Sequence, residues 1–541
     1  MLSTYQNPEY DYIQSAEQQS GQPARHAVAI VGAGPVGLTA ALDCAHRGIA
    51  CVVFDDNNTV SVGSRALCYG KRSLEIWERL GVAQPVLDKG VNWRVGKNFF
   101  KEDLTYQFDL LPESGHQMPG MVNLQQYYLE EYLVNACNQN DLIDLRWKHR
   151  VELAEQHDNH VELTVSTPDG TFTSTAEWVI ACDGAGSSMR GHVGAQFEGR
   201  EFDDQFLIAD VVMKNDFPKE RWFWFDPPFH PNQSVLLHRE ADDVWRIDFQ
   251  LGSDADADYW KKPENVTPLL KQMLGDDVEF ELEWVSVYRF ACRRMKQFRH
   301  GRIIFAGDAA HQVSPFGARG ANTGVQDIDN LAWKLQLVLA DQAPEALLDS
   351  YNDERIQVAD VNIAHSSRAT DFITPKSKAS RIMRDAVLSL AKNYEFARPL
   401  VNSGRLSTAT NYENSALNTP DSDHFEAPNT VPGAFCPDAA ITNAAGQDDW
   451  LLKHFGNGFV ALIFSDGTND YNILDVDGVA VTPVVVGKDI FDSHGYLQQR
   501  YDGKAGSVYL IRPDQHVAGR WRQFDADAIK AAVKRATGQC L

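Results

Sequence analysis

The sequence predicts a protein that is α/β in its larger part, with an inserted α+β sheet region and a small separate α/β unit at the end. Three observations carry this. A strand, glycine turn, helix and strand follow one another from residue 27. An aromatic-rich, alternating stretch covers about 200–290. A stretch rich in Asn, Ser, Thr, Asp and Pro at 402–433 then precedes a new set of apolar runs.

The first unit opens with an apolar run at 27–31, turns at Gly32-Ala33-Gly34-Pro35-Val36-Gly37, continues through small and apolar residues at 38–45, and closes with an apolar run at 51–54 ending in Asp55-Asp56. Further buried-strand runs at 178–182 and 302–306 each lead into a Gly/Asp turn. Between them, 222–225, 234–238 and 244–251 are broken by Pro, Asn and Asp, as in an antiparallel sheet. After Gly320, the residues Val325, Ile328, Leu331, Leu335, Val338 and Leu339 recur at helical spacing and predict one apolar face. A second helix is expected over 347–368. Strands are expected at 459–464 and 507–511, and a closing helix at 525–537.

Bulk properties narrow the function. At roughly 150 residues per domain, 541 residues suggest three or four units. A composition 43% hydrophobic and 23% charged is that of a globular enzyme. Fifty Lys+Arg against 74 Asp+Glu give a charge of −24, which disfavours nucleic acid and anionic membrane as partners. An anionic substrate then requires local basic residues, and screening beyond about 8 Å permits that. Eight Cys without a C-x-x-C pair or a Cys/His metal spacing read as reduced thiols in a cytoplasmic protein with no metal site. The polar tail over 1–25 lacks the apolar core of a signal peptide, and no run approaches the roughly 20 residues of a membrane span.

The glycine turn has a defined chemistry. Gly32 permits the bend, Gly34 lets a pyrophosphate approach the backbone, and Gly37 lets helix and strand pack closely. The helix start at Pro35-Val36 offers N–H groups and positive dipole to phosphates. Asp55, with Asp56 beside it, would accept from a ribose hydroxyl. The bland alternative is a turn that binds nothing, and the motif does not by itself separate NAD from FAD. Two later turns bear on that choice. One carries Asp183-Gly184 and ends at Arg190. The other carries Gly307-Asp308-Ala309-Ala310-His311 and leads through Pro315 to Gly317-Ala318-Arg319-Gly320-Ala321-Asn322 at a helix start. A glycine-rich helix N-terminus of this kind stabilises negative charge, such as that of a reduced flavin.

In order and spacing these turns, with Asn-Leu-Ala-Trp-Lys at 330–334, resemble the class A flavoprotein aromatic hydroxylases, which have the para-hydroxybenzoate hydroxylase fold. The resemblance is strong over 26–400 and is greatest to the phenol and 3-(3-hydroxyphenyl)propionate hydroxylase branch. Motifs at 432–433, 511–514 and 517–521 extend it. It implies a Rossmann-like FAD-binding domain of the GR2 type over 26–195 and 296–400. A substrate-binding sheet domain is implied over 196–295 with part of 90–120, then a linker over 401–430 and a thioredoxin-like domain over 431–541. By the same resemblance Gly32, Gly34, Gly37 and Asp55 hold the ADP half of FAD, with Ser64-Arg65 near the pyrophosphate. Gln126 is the flavin-contacting Gln, with Gln125 as the adjacent alternative. Asp183 serves FAD and the nicotinamide donor, Asp308 the ribityl chain, and Pro315 flanks the isoalloxazine. Gly320, Ala321 and Asn322 face its pyrimidine edge. NADH or NADPH would act as transient donor, and O2 would reach an aromatic, phenolic ring through a flavin C4a-hydroperoxide.

The pattern is departed from at two places. Arg319 stands where many relatives have a small or uncharged residue; it would anchor a carboxylate, stabilise the flavin anion, or salt-bridge the acidic surface. The C-terminal unit has only isolated Cys436 and Cys540, which points to a packing or dimer role in place of dithiol chemistry. For the substrate pocket, Trp222/Trp224 and Phe223/Phe225 occupy opposite strand faces, and either face would line a pocket or join a core. His238, Arg246 and Tyr288 lie in the same sheet region and are candidates to bind or deprotonate a phenol, or else structural residues. The competing functions are an FAD-dependent oxidase, dehydrogenase or reductase that inserts no oxygen, and a flavin-binding sensor.

Overall fold

The computed structural model describes residues 2–214, 217–401, 406–465, 467 and 471–540. Residue 1 of the predicted tail, 215–216 of the inserted sheet, 402–405 of the linker, and 466, 468–470 and 541 of the C-terminal unit lie outside the described residues.

Strand β1 (Arg25–Val31), helix α1 (Pro35–His46) and strand β2 (Cys51–Asp55) form a βαβ unit. After β3 (Cys68–Gly70) and α2 (Lys71–Arg79) the chain makes a hairpin, β4 (Val95–Phe100) and β5 (Asp103–Asp109). It returns through α3 (Gln126–Asn138) to β6 (Ile143–Trp147) and β7 (Gly170–Ala181). Strands β8 (Phe197–Val212), β9 (Arg221–Phe225), β10 (Ser234–Arg239) and β11 (Val244–Leu251), helix α4 (Pro263–Leu274) and strand β12 (Glu281–Met295) then build a second sheet. Strand β13 (Ile303–Phe305) with α5 (Gly320–Leu339) and α6 (Asp349–Ile373) completes the first body. The third contains β14 (Phe459–Phe464), β15 (Val479–Val486), β16 (Val508–Ile511), β17 (Val517–Trp521) and α7 (Ala526–Ala536).

In the first sheet β13, β7, β1, β2 and β6 are neighbours in that order, all parallel. Val31 pairs with Ala181 and Ala181 with Phe305, so the carboxyl ends of β1, β7 and β13 are level. That register brings three turns far apart in sequence to one crevice, where open α/β sheets bind ligands.

The second sheet runs β12, β8, β11, β10, β9, β4, β5; it is antiparallel except for the parallel pair β9–β4. One face is a core in which Trp245, Ile247 and Phe249 pack with Val266 and Leu270 of α4. Because side chains alternate along a strand, Arg246, Asp248 and Gln250 point to the other face, toward the first body.

Two elements differ from expectation. Helix α5 was expected to bury one apolar stripe, yet its polar side is buried as well: Asp327, Asp329, Asn330 and Lys334 are at most 2% exposed. The third body covers that side, Trp333 and Leu337 packing with Phe459, Val508 and Ile529. The polar N-terminal stretch, expected as a polar tail, packs against the rest of the chain. Its aromatic side chains find flat partners, Tyr5 stacking on Tyr127 at 4.2 Å and Tyr10 on Trp147 at 4.6 Å. The Thr4 N–H donates to Glu283 at 2.9 Å, which ties this strap to the second sheet.

Candidate active site

The first turn is shaped by close approach. Gly32 has φ +105°, and a Cβ there would lie 2.5 Å from the carbonyl oxygen of Cys182. A Cβ on Gly37 would lie 1.8 Å from the Gly32 oxygen, while one on Gly34 would meet nothing. Only glycine closes this turn against the second one, and the start of α1, which has no side-chain cap, is left open beside Gly34. Asp55 braces the turn, accepting from the Ala33 N–H at 2.5 Å and the Asn57 N–H at 2.8 Å. Further lone pairs remain on this carboxylate for a sugar hydroxyl. Asp56 is exposed.

The other turns join the same crevice. Asp183 Oδ2 accepts from the Met189 N–H at 3.1 Å, whereas Oδ1 is buried and without a hydrogen bond. Gly184 adopts φ +74° beside it. Arg190 donates to the Ala309 carbonyl at 2.9 Å, tying the second turn to the third. Asp308 is solvent-exposed, yet enough protein surrounds it that desolvation raises its pKa, with His311 and Arg65 as the nearby positive groups that oppose this. A carboxylate both accessible and desolvated faces an interior space. Its neighbour in the motif, His311, is spent on structure: it bonds Asp327 at 2.7 Å, and Asp327 also accepts from Gly307 N–H at 2.9 Å and Arg355 at 2.6 Å.

Past the one-turn helix at Pro315–Gly317, Ala318 takes φ +52° and α5 starts without a side-chain cap, leaving backbone N–H groups at Gly320, Ala321 and Asn322 for a ligand. The Asn322 side chain is a clamp. It accepts from the Gly70 N–H at 2.8 Å and the Ser73 hydroxyl at 2.7 Å, and it donates to the carbonyls of Cys68 and Ala318 at 2.8 and 2.7 Å. Gln126 holds the Ser64-Arg65-Ala66 loop, its side-chain oxygen accepting from the Ala66 N–H at 2.8 Å and its backbone N–H donating to Ser64 Oγ at 3.2 Å. Gln125 is buried and turns toward the second sheet, donating to the Ala241 carbonyl at 3.0 Å. Arg65 is exposed on that loop. Two open helix starts, an unpartnered Asp183 oxygen and the desolvated Asp308, on one crevice, fit an extended dinucleotide carrying a flavin. Among the described residues no group of three His, Cys, Asp or Glu is placed to hold a metal ion.

Across from the third turn stands the inner face of the second sheet. Phe206 lies 5.0 Å and Phe223 6.4 Å, ring to ring, from Phe316 of the Pro315 turn, and Phe225 and Leu236 join the same cluster. Trp222 and Trp224 point the other way, into the core under α4. The candidates from sequence separate here. Arg246 is fully engaged, bonding Asp210 at 2.8 Å twice and the Ser64 carbonyl at 2.6 Å, with Glu240 at 3.3 Å. His238, buried between Arg221 and Arg246, has its pKa driven well below the usual imidazole range by desolvation and then by those two cations. It is neutral and a poor base. Tyr288 is half-buried beside Phe206, its hydroxyl making no hydrogen bond among the described residues. Arg319 does not reach the acidic surface: it is 7% exposed, folds over Gly317 and donates to Asn362 of α6 at 2.8 Å.

Sequence reasoning missed Arg221, Asp248 and Asp327. A signal existed for the first two. In Arg221–Phe225 and Val244–Leu251 the charged residues share one strand parity, which assigns them to a common face.

A family model described as FAD binding domain matches residues 25–366, the span of the three turns and the inserted sheet. The chain belongs to the FAD binding domain family. FAD is therefore the cofactor that the crevice accommodates. Within reach of this family, the chain is 25% identical over 528 residues to a 3-(3-hydroxy-phenyl)propionate/3-hydroxycinnamic acid hydroxylase of Mycolicibacterium smegmatis, covering 91% of this chain and 90% of the relative. It is 29% identical over 379 residues to a para-nitrophenol 4-monooxygenase of a Pseudomonas species, covering 67% and 91%. The fold is shared with the flavin-dependent monooxygenase PieE, solved with FAD and substrate, at a TM-score of 0.81 and 21% identity over 96% of this chain and all of that one.

Proposed function

We propose that the protein is an NAD(P)H-dependent flavin monooxygenase that hydroxylates a phenolic ring. The observation that carries this is the aromatic face of Phe206, Phe223 and Phe225, closed by Phe316 of the turn that leads into α5. It is a buried aromatic wall suited to pack against a flat ring, next to a crevice that fits FAD. Relatives named for hydroxylating hydroxyphenyl acids and nitrophenol support the same substrate class.

FAD, when bound, supplies the oxygen-activating chemistry. The chain supplies binding, orientation and exclusion of water. Gly34 and the start of α1 receive the pyrophosphate, Asp308 and Arg65 flank the middle of the cofactor, and the N–H groups at 320–322 stabilise negative charge on its ring system. The Asn322 clamp fixes β3 against that helix start, so substrate and cofactor walls are held together. With His238 neutral and His311 bound to Asp327, neither histidine is placed to act as a base, and orientation carries the rate. The third body, in which β14 and β15 are parallel and β16 and β17 antiparallel before a closing helix, is assigned a thioredoxin-like fold with a packing role. It has no dithiol pair, since Cys436 is buried and Cys540 exposed as free thiols.

The test is a panel of phenols with product identification. Purified protein is expected to be yellow, NAD(P)H oxidation to rise with a phenol, and labelled oxygen from O2 to appear in the product. Stimulated oxidation without label in any product would replace this reading by a dehydrogenase or oxidase.

A further inference from the structure

A chain end frays unless something ties it down, and here the tie is one carboxylate. The Ser3 and Thr4 N–H groups donate to Glu283 at 2.7 and 2.9 Å, and both hydroxyls donate to it at 2.6 Å. A bulge presents Glu283. Opposite β8, Leu282 pairs with Val211 and Trp284 with Asp210, so Glu283 is the extra residue and its side chain is re-aimed. Burial opposes its ionisation, yet the donors on Ser3 and Thr4 outweigh that and hold its pKa below the ordinary carboxylate range. Tyr5 adds a hydrogen bond to Glu131 of α3 at 2.8 Å, next to its stack on Tyr127.

From this anchor the strap crosses the segment that leaves Asp55. Asn7 Nδ2 donates to the carbonyls of Val60 and Ser61 at 3.2 and 3.1 Å, and the Tyr10 N–H donates to the Asn58 carbonyl at 2.8 Å. The same segment runs on into Ser64-Arg65-Ala66. Its other side lies against the protein. The Ser61 N–H donates to Glu130 at 2.5 Å, and the Ser64 carbonyl accepts from Arg246 at 2.6 Å. Gly63 has φ +75°, and a Cβ there would collide with the Trp284 indole. Glu283 and Trp284 are consecutive, so one short stretch of β12 fixes the strap through the first and the loop through the second. Val62, at the loop tip, is 65% exposed and borders solvent.

Resting on the placement of FAD along the three turns, with Arg65 beside it, we propose that residues 3–10 form a latch. FAD enters and leaves by way of loop 57–66, and the loop moves only after the strap lifts from Glu283. The anchor suits a reversible device. Ser3 is exposed and Glu283 half-buried, so water competes for the four hydrogen bonds, and each contributes less than a buried charge-assisted bond does. The strap grips the loop by its backbone carbonyls. It therefore governs the motion of the loop and leaves the cofactor's own contacts alone.

The experiment follows exchange of bound FAD for isotopically labelled FAD, supplied in excess to the FAD-loaded enzyme, with the retained flavin read by mass spectrometry. Glu283→Gln removes the charge and keeps the shape, Asn7→Ala removes the grip on Val60 and Ser61, and a chain lacking residues 2–10 removes both. The shortened chain is expected to exchange at least about tenfold faster, and the two substitutions about three- to tenfold faster. For the substitutions, FAD per chain as purified and melting temperature are expected to stay at wild-type values. Tyr12→Phe loses bonds to Gln18 and Thr167 farther along the strap and is expected to exchange at the wild-type rate. The substitutions decide the matter if the shortened chain does not fold. Wild-type exchange in Glu283→Gln and Asn7→Ala overturns the proposal. So does acceleration that comes only with a lower melting temperature, or that Tyr12→Phe matches. Exchange is read without turnover, so a chain that inserts no oxygen refutes the hydroxylase reading and leaves the latch standing.

Discussion

Two carboxylates, Asp308 and Asp248, show how position sets the chemistry of a single residue. Asp308 is desolvated but accessible, and the proposed function makes it an acceptor for the cofactor. Asp308→Ala is expected to purify with less than a tenth of the wild-type FAD per chain, read from the flavin-to-protein absorbance ratio. Asp248, in the polar part of the sheet, has its pKa pushed up to about 7 by burial, against the pull of Arg246. Its folded pKa lies above the unfolded one, so between about pH 4 and 7 the unfolded chain gives up this proton first. Stability falls with rising pH in that window, by at most about 1.4 kcal/mol per unit. Asp248→Asn is expected to flatten that slope in melting curves taken between pH 5 and 8. The backbone demands on Gly37 and Asp55 were legible in sequence because each acts within its own βαβ unit, whereas Gly32 is also pressed by Cys182 of the second turn. The neighbours of Arg246 and Asp248 were not, because which residues meet across strands depends on register.

At the scale of elements, β3 and α5 are joined through one side chain. Asn322 makes four hydrogen bonds that join Cys68, Gly70, Ser73 and Ala318. In Asn322→Ala the Gly70 N–H and two carbonyls lose buried partners, at a cost of about 2–4 kcal/mol. A drop in denaturation midpoint and weaker FAD binding together are the expected readout; a lower midpoint with FAD affinity intact would confine Asn322 to folding. The period of α5 was plain in sequence, and its apolar positions Val325, Ile328, Leu331 and Leu335 are indeed buried. Its polar side reads as solvent-facing in any one-dimensional pattern, since the body that covers it lies more than a hundred residues away in the chain.

At the scale of the molecule, buried ion pairs join the third body to the first. Arg512 bonds Glu354 of α6 at 2.6 Å, Lys334 of α5 bonds the same carboxylate at 2.7 Å, and Arg72 of α2 reaches Asp329 at 2.6 Å and the Asp514 carbonyl at 3.0 Å. Arg512→Met leaves Asp514 in the interior with only His516 beside it, at 3.4 Å, and should cost about 3–5 kcal/mol. Loosening of the third body would then show as early hydrogen exchange in β16 and β17. The pH dependence has the opposite sign to that of Asp248. Arg512 above all holds the pKa values of Glu354 and Asp514 below the ordinary carboxylate range. Their stabilisation is full above the unfolded pKa, near pH 4, and is lost as pH falls through the folded values. The wild type should therefore lose more stability in acid than the Met variant does.

By itself the sequence determined the parallel sheet, the three Gly/Asp turns, the FAD family and the class of chemistry, since these follow from spacing and backbone demands within single supersecondary units. Tertiary structure alone decided which face of Trp222–Phe225 turns to Phe316, that Arg319 is drawn inward to Asn362, and that Arg246 is held by Asp210. Those outcomes depend on strand register and on surfaces distant in the chain, and a local pattern does not encode either one.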